Sequence, residues 1–177
     1  MKAFQLRFLS VLPLPLFGLL LGPPVMATTG SGQSISCAAT SESIESGRLI
    51  SCIPVTVVTV KTGKGLSVSC EKGAMLSLFD NGTLESCLLT SDRTFYSDKQ
   101  KSIMCNRATP VSLFQTGDLK GCSPTSDQIL TAGAGPSRGC GQFREVTFFQ
   151  NGDLEACSLS RDEKISAGKR RTGVTRS

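Results

Sequence analysis

The stretch Leu78-Phe79-Asp80-Asn81-Gly82-Thr83-Leu84-Glu85-Ser86-Cys87 decides the fold. An apolar pair leads into a polar turn centred on Asn-Gly, and the returning segment ends on a cysteine. Asn-Gly between apolar runs is the strongest short hairpin signal, because both residues tolerate positive φ. The pattern returns at Leu113-Phe114-Gln115-Thr116-Gly117-Asp118-Leu119, running on to Cys122, and at Phe148-Phe149-Gln150-Asn151-Gly152-Asp153-Leu154, running on to Cys157. Aligned on Gly-x-Leu-x-x-Cys, a fourth copy from Gly47 to Cys52 joins them, and successive copies begin 35 residues apart. A constant period of this length marks a repeat architecture. The expected fold is all-β: antiparallel hairpins stacked as an elongated sheet or solenoid-like array, stabilised by disulfides.

A second cysteine series at Cys70, Cys105 and Cys140 keeps the same period, each 17 residues before its partner, and Cys37 stands 15 before Cys52. The repeat units are therefore drawn as 37–52, 70–87, 105–122 and 140–157. Pairing within units leaves no thiol over, whereas pairing across the connections strands Cys37 and Cys157. A turn centred on Asn81-Gly82 places Phe79 opposite Leu84 and Leu76 opposite Cys87. Phe114 with Leu119 and Phe149 with Leu154 repeat the first pairing, giving an apolar column. Leu84 and Cys87 differ by an odd number of residues, so a regular strand points them to opposite faces. With Leu76 opposite Cys87, the segment carrying Cys70 has to bend back to reach it, and Gly73 and Pro110 suit such a bend.

The chain opens with Lys2 and Arg7, an apolar run from Leu9 to Leu21 interrupted by Pro13 and Pro15, and Val25-Met26-Ala27. These are the parts of a cleavable signal peptide, 1–27, that leaves Thr28 first. A secreted or periplasmic address follows, and with it an oxidising compartment in which eight cysteines persist as disulfides. Zinc is a poor alternative, since there is no C-x-x-C pair and no His. Residues 28–160 carry 11 basic and 12 acidic side chains, a net of −1, while residues 161–177 carry 6 against 2, a net of +4. The alkaline pI thus belongs to the leader and to a basic tail, read as a solvated, flexible terminus. Within the tail Lys169, Arg170 and Arg171 are the candidates for contact with a polyanion or anionic membrane surface.

Between the hairpins lie connections of variable sequence, such as Thr90–Lys101 and Pro124–Gly139, and two of them open alike, on Thr90-Ser91-Asp92 and Thr125-Ser126-Asp127. Variable loops on a repeated scaffold are natural places for binding. Arg93, Lys99, Lys101 and Arg138 are the candidate binding residues there.

At LFDNGTL, LFQTGDL and FFQNGDL the chain resembles the MORN-variant repeats of exported bacterial proteins. The resemblance covers three hairpin cores and a degenerate first unit, and implies stacked β-hairpins with a scaffold or binding role. The chain departs from the usual MORN pattern in lacking its Tyr-x-Gly-x-Trp core and in adding a cysteine pair per unit, so the lipid binding suggested for MORN proteins is not carried over. No catalytic residues come with the resemblance.

Absence of His removes Ser-His-Asp and Cys-His nucleophiles and most catalytic zinc sites. Carboxylates remain, and Glu85, Asp118, Asp153 and Glu155 recur at repeat positions. A catalytic pair is normally unique, whereas a repeat multiplies its surface, so turns and strand edges account for these residues better than a glycosidase-like pair does. Asp80-Asn81-Gly82 lacks the spacing of a calcium loop. Asn81-Gly82-Thr83 matches a glycosylation sequon but reads as a turn. With no Trp and a single Tyr, and with the Phe residues assigned to the core, stacking of sugars or bases finds little platform. No cofactor is implied, and no sequence-specific nucleic-acid contact. The leading expectation is a non-enzymatic scaffold that binds an unidentified protein or surface polymer. A secreted inhibitor or effector presenting a disulfide-held segment (Arg93 to Lys101, or Ser137-Arg138) is the alternative, and a carboxylate-dependent hydrolase comes last.

Overall fold

Cys37, Cys70, Cys105 and Cys140 each close a hairpin of their own. In the computed structural model, which describes residues 22–98, 101–131, 135 and 137–160, every repeat contributes four strands, numbered in chain order. The first unit holds β1 (Val25–Thr28), β2 (Ser34–Cys37), β3 (Ser43–Glu45) and β4 (Arg48–Cys52). The second holds β5 (Val58–Lys61), β6 (Ser67–Cys70), β7 (Leu76–Leu78) and β8 (Leu84–Leu88). The third holds β9 (Arg93–Tyr96), β10 (Ser102–Cys105), β11 (Pro110–Leu113) and β12 (Leu119–Cys122). The fourth holds β13 (Gln128–Thr131), β14 (Ser137–Cys140), β15 (Val146–Phe148) and β16 (Leu154–Cys157). No helix occurs among the described residues. The fold is all-β, and every pairing between these strands is antiparallel.

The second hairpin of every unit joins one eight-stranded sheet, in the order β16-β15-β12-β11-β8-β7-β4-β3. The first hairpins stand as four separate two-stranded ribbons. The first three ribbons bury alternate residues as pairs, Ala27 with Ile35, Val60 with Val68 and Phe95 with Ile103. Those side chains share a single hydrophobic core with Leu49, Leu76, Leu78, Leu84, Val111, Leu113, Leu119, Val146 and Phe148 of the large sheet. Sheet and ribbons are thus two layers around one core. The connections expected as loops are largely these ribbons, because strand alternation is present in them: Phe95, Ile103 and Leu130 face inward.

The second, third and fourth hairpins of the large sheet turn differently from the expectation of two central residues at positive φ, whereas in the first Ser46 and Gly47 both take it, at 49° and 76°. Phe79 N–H donates to the Thr83 carbonyl at 2.9 Å and Gly82 N–H to the Phe79 carbonyl at 2.7 Å. Only Gly82 takes positive φ, 78°. This is a three-residue loop with glycine at its last position. Asn81 serves instead through its side chain, whose Oδ1 accepts from the Thr83 N–H at 3.0 Å and hydroxyl at 2.7 Å. Gly117 and Gly152 repeat the geometry with φ of 87° and 77°.

A bulge then corrects two further expectations. Ser77 faces Ser86, but Leu78 faces Leu84, which leaves Glu85 as the extra residue. Ile50, Lys120 and Glu155 are its counterparts. One inserted residue shifts the pleat by a step, so Leu84 and Cys87 lie on the same face and both are buried. The inward partner of Leu154 is Phe148 rather than Phe149, which is 52% exposed. The cysteines therefore share the core with the leucines.

The four disulfides are Cys37–Cys52, Cys70–Cys87, Cys105–Cys122 and Cys140–Cys157. Each ties the end of a ribbon to the last strand of the sheet hairpin in its own unit. The chain bends between the two at Thr40, Gly73, Ala108 and Phe143, all at positive φ. Gly73 thus makes the expected bend, whereas Pro110 begins strand β11.

Candidate functional site

Repetition produces surfaces as well as a core. Across the sheet the outward positions form an unbroken register row, Ser43, Ser51, Ser77, Ser86, Ser112, Gly121, Thr147 and Ala156. Two residues along each first strand of the second, third and fourth sheet hairpins stand Phe79, Phe114 and Phe149. Because Leu78, Leu113 and Phe148 point inward, strand alternation turns these phenylalanines to the solvent side. Phe79 and Phe114 are half-buried, and Phe149 is exposed. They sit on alternate strands, hence about 10 Å apart along the sheet. The sequence assigned them to the core because it lacked the bulge. With the bulge in place, an aromatic row borders a row of small residues, all but Gly121 and Ala156 bearing a hydroxyl.

The candidate residues of the connections land on the ribbons. Arg93 opens β9 opposite Cys105, and Arg138 lies on β14 opposite Leu130. Neither is on a loop. Lys101 precedes β10, and its carbonyl accepts from Ser97 N–H at 3.0 Å. Arg138 is exposed where Ile35, Val68 and Ile103 of the other ribbons are buried, so the fourth ribbon ends the apolar ladder. Lys99, Lys169, Arg170 and Arg171 lie outside the described residues, as does most of the leader. The expected processing point between Ala27 and Thr28 falls within β1, where Ala27 is 4% exposed.

Recurrent carboxylates are accounted for by architecture. Asp118 is 5% exposed and accepts from Lys64 Nζ of the preceding unit's ribbon and from Thr116 Oγ1 at 2.8 Å. Asp153 Oδ2 accepts from Asn151 Nδ2 at 3.0 Å. Asp92 and Asp127, from the shared Thr-Ser-Asp openings, accept from the backbone N–H of Arg107 at 2.7 Å and Gln142 at 2.8 Å. Each pins the bend of the next sheet hairpin. Among the described residues no group of three or more His, Cys, Asp or Glu is placed to hold a metal ion.

Units are also engaged through their turns. A Cβ built on Gly30 would stand 2.2 Å from the Asp80 carbonyl oxygen, and one on Gly63 would stand 2.1 Å from that of Gln115. The ribbon turn of one unit thus presses backbone to backbone on the sheet turn of the next. The signal for this contact was present as Thr29-Gly30-Ser31-Gly32 and Thr62-Gly63-Lys64-Gly65, a Thr-Gly-x-Gly recurrence overlooked beside the stronger Gly-x-Leu-x-x-Cys motif. Comparison with protein-family models, with curated proteins and with solved structures finds no match to this chain.

Proposed function

We propose that the chain is a secreted or periplasmic, non-enzymatic repeat scaffold that holds a protein or surface polymer against the outward face of its large sheet. The observation that carries this reading is the pairing of an aromatic row, Phe79, Phe114 and Phe149, with a row of small, mostly hydroxyl-bearing residues. Repeat proteins use such extended, self-similar surfaces for binding, and here the aromatic row faces solvent with Phe149 exposed and Phe79 and Phe114 half-buried. The MORN-variant resemblance at LFDNGTL, LFQTGDL and FFQNGDL points the same way, and the buried disulfides favour an oxidising compartment.

Export removes the leader after Ala27. The ribbon of the first unit then keeps only Thr28 of β1, so Cys37–Cys52 carries more of that ribbon's attachment. N-terminal sequencing of protein recovered outside the cytoplasm should begin at Thr28, and a sequence beginning at Met1 contradicts export.

The surface is tested by immobilising the exported protein and capturing partners from the extracellular or cell-envelope fraction, beside a Phe79→Ser, Phe114→Ser, Phe149→Ser variant. A partner retained by the native protein and lost by a variant with an unchanged disulfide map supports the reading. Binding that survives the triple substitution contradicts it.

A further inference from the structure

The two ends of the sheet are the two halves of a joint that the chain already makes three times. Units meet where the last strand of one sheet hairpin pairs with the first strand of the next. Ser51 and Cys52 pair with Ser77 and Leu76, Cys87 with Val111, and Cys122 with Val146, always antiparallel. β3 occupies the repeat position of β7, β11 and β15, and β16 that of β4, β8 and β12. Among the described residues, β3 and β16 are the sheet's outermost strands, each paired on one side only. An unpaired strand edge is a template for a further strand.

The exposed end also shows what it lacks. Ile44 is 56% exposed, whereas Leu78, Leu113 and Phe148 at the same repeat position are each 1% exposed. The cause is the stagger between layers. The first ribbon's turn lies on the second sheet turn, and the second ribbon's turn on the third, whereas among the described residues no ribbon of a preceding unit overlies β3 and β4. The fourth unit of another copy carries the same two hairpins that make this joint within the chain. Strand length is no obstacle, since β7 pairs on both sides with three residues.

We propose that a second copy of this chain binds head to tail, its β16 pairing with β3 and its fourth unit covering Ile44. The contact uses different surfaces on the two molecules, so it is heterologous and grows as an open series instead of closing as a symmetric dimer. This partner is separate from the one sought on the aromatic face, and failure of self-association leaves capture on that face untouched.

Sedimentation velocity on the exported, disulfide-intact chain tests it. The native protein should show dimers, trimers and longer species that grow with concentration. Ile44→Lys blocks the receiving end alone, lies at an exposed position and leaves every described disulfide in place. It should stay monomeric by itself, yet enter native assemblies and shorten them, because its β16 end remains competent. A native protein that is one species at every concentration overturns the proposal. So does a symmetric dimer that grows no further, or an Ile44→Lys protein that assembles like the native one.

Discussion

Ala108 and Phe143 adopt φ of 54° and 56°, at the bend where Gly73 takes 75°. Their N–H groups donate to the carbonyls of Leu89 and Pro124, as that of Gly73 does to Pro54, each at 2.8 Å. The bend is therefore fixed by a bond to the preceding unit, and the non-glycine residues carry a left-handed cost of about 1–2 kcal/mol. Ala108→Gly relieves that cost and gives back part of it as unfolded-chain entropy, about 0.4–1 kcal/mol. A net gain of up to about 1 kcal/mol is expected, read as a higher urea midpoint at unchanged slope. A lower midpoint contradicts it. Gly63→Ala should lose about 1–3 kcal/mol, the usual range for overpacking, because its Cβ meets backbone. A variant as stable as the native protein would show that the units' turns are not in contact. Such positions differ in legibility. Gly82 could be read directly, since glycine suits the turn it closes, while nothing in the side chains of Ala108 or Phe143 announces a left-handed backbone.

Each sheet hairpin carries one inserted residue. Without Glu85 the register that pairs Ser77 with Ser86 would run on unbroken, and Cys87 would stand two residues from Leu84, on the same face of a regular strand. Deleting Glu85 is therefore expected to straighten the strand and leave Cys70–Cys87 formed, with no free thiol in the oxidised protein. Two free thiols in the deletion variant would contradict this register. Asp92→Ala removes the acceptor for Arg107 N–H at an exposed site and should cost about 1 kcal/mol in the same urea titration. Spacing alone carried the sequence as far as hairpins, turns and cysteine pairing. It missed the ribbons because their turns are not uniform: Thr-Gly-x-Gly in the first two units becomes Ser97-Asp98-Lys99-Gln100 in the third. It also placed Phe79 and Phe149 in the core, because a bulge changes facing without changing composition.

At the scale of the molecule, the arrangement is a staggered double row. Each ribbon is clamped to its own sheet hairpin by a disulfide, and the first two are seated on the neighbouring hairpin by their turns. Clamping matters because strands of three to five residues make hairpins that are marginal alone. Reduction is thus expected to loosen the ribbons before it disrupts the sheet, with amide exchange in Val58–Lys61 and Ser67–Cys70 accelerating more than in Leu84–Leu88. Equal acceleration in both layers contradicts the layered account. The claim that each unit is one ribbon tied to one sheet hairpin is tested most directly by peptide mapping of the native protein without reduction. A Lys or Arg stands between every two consecutive cysteines, from Arg48 to Arg144, so trypsin isolates each. The map should return Cys37 with Cys52, Cys70 with Cys87, Cys105 with Cys122 and Cys140 with Cys157. A dominant Cys87 to Cys105 peptide, joining one unit's sheet strand to the next unit's ribbon, would contradict it.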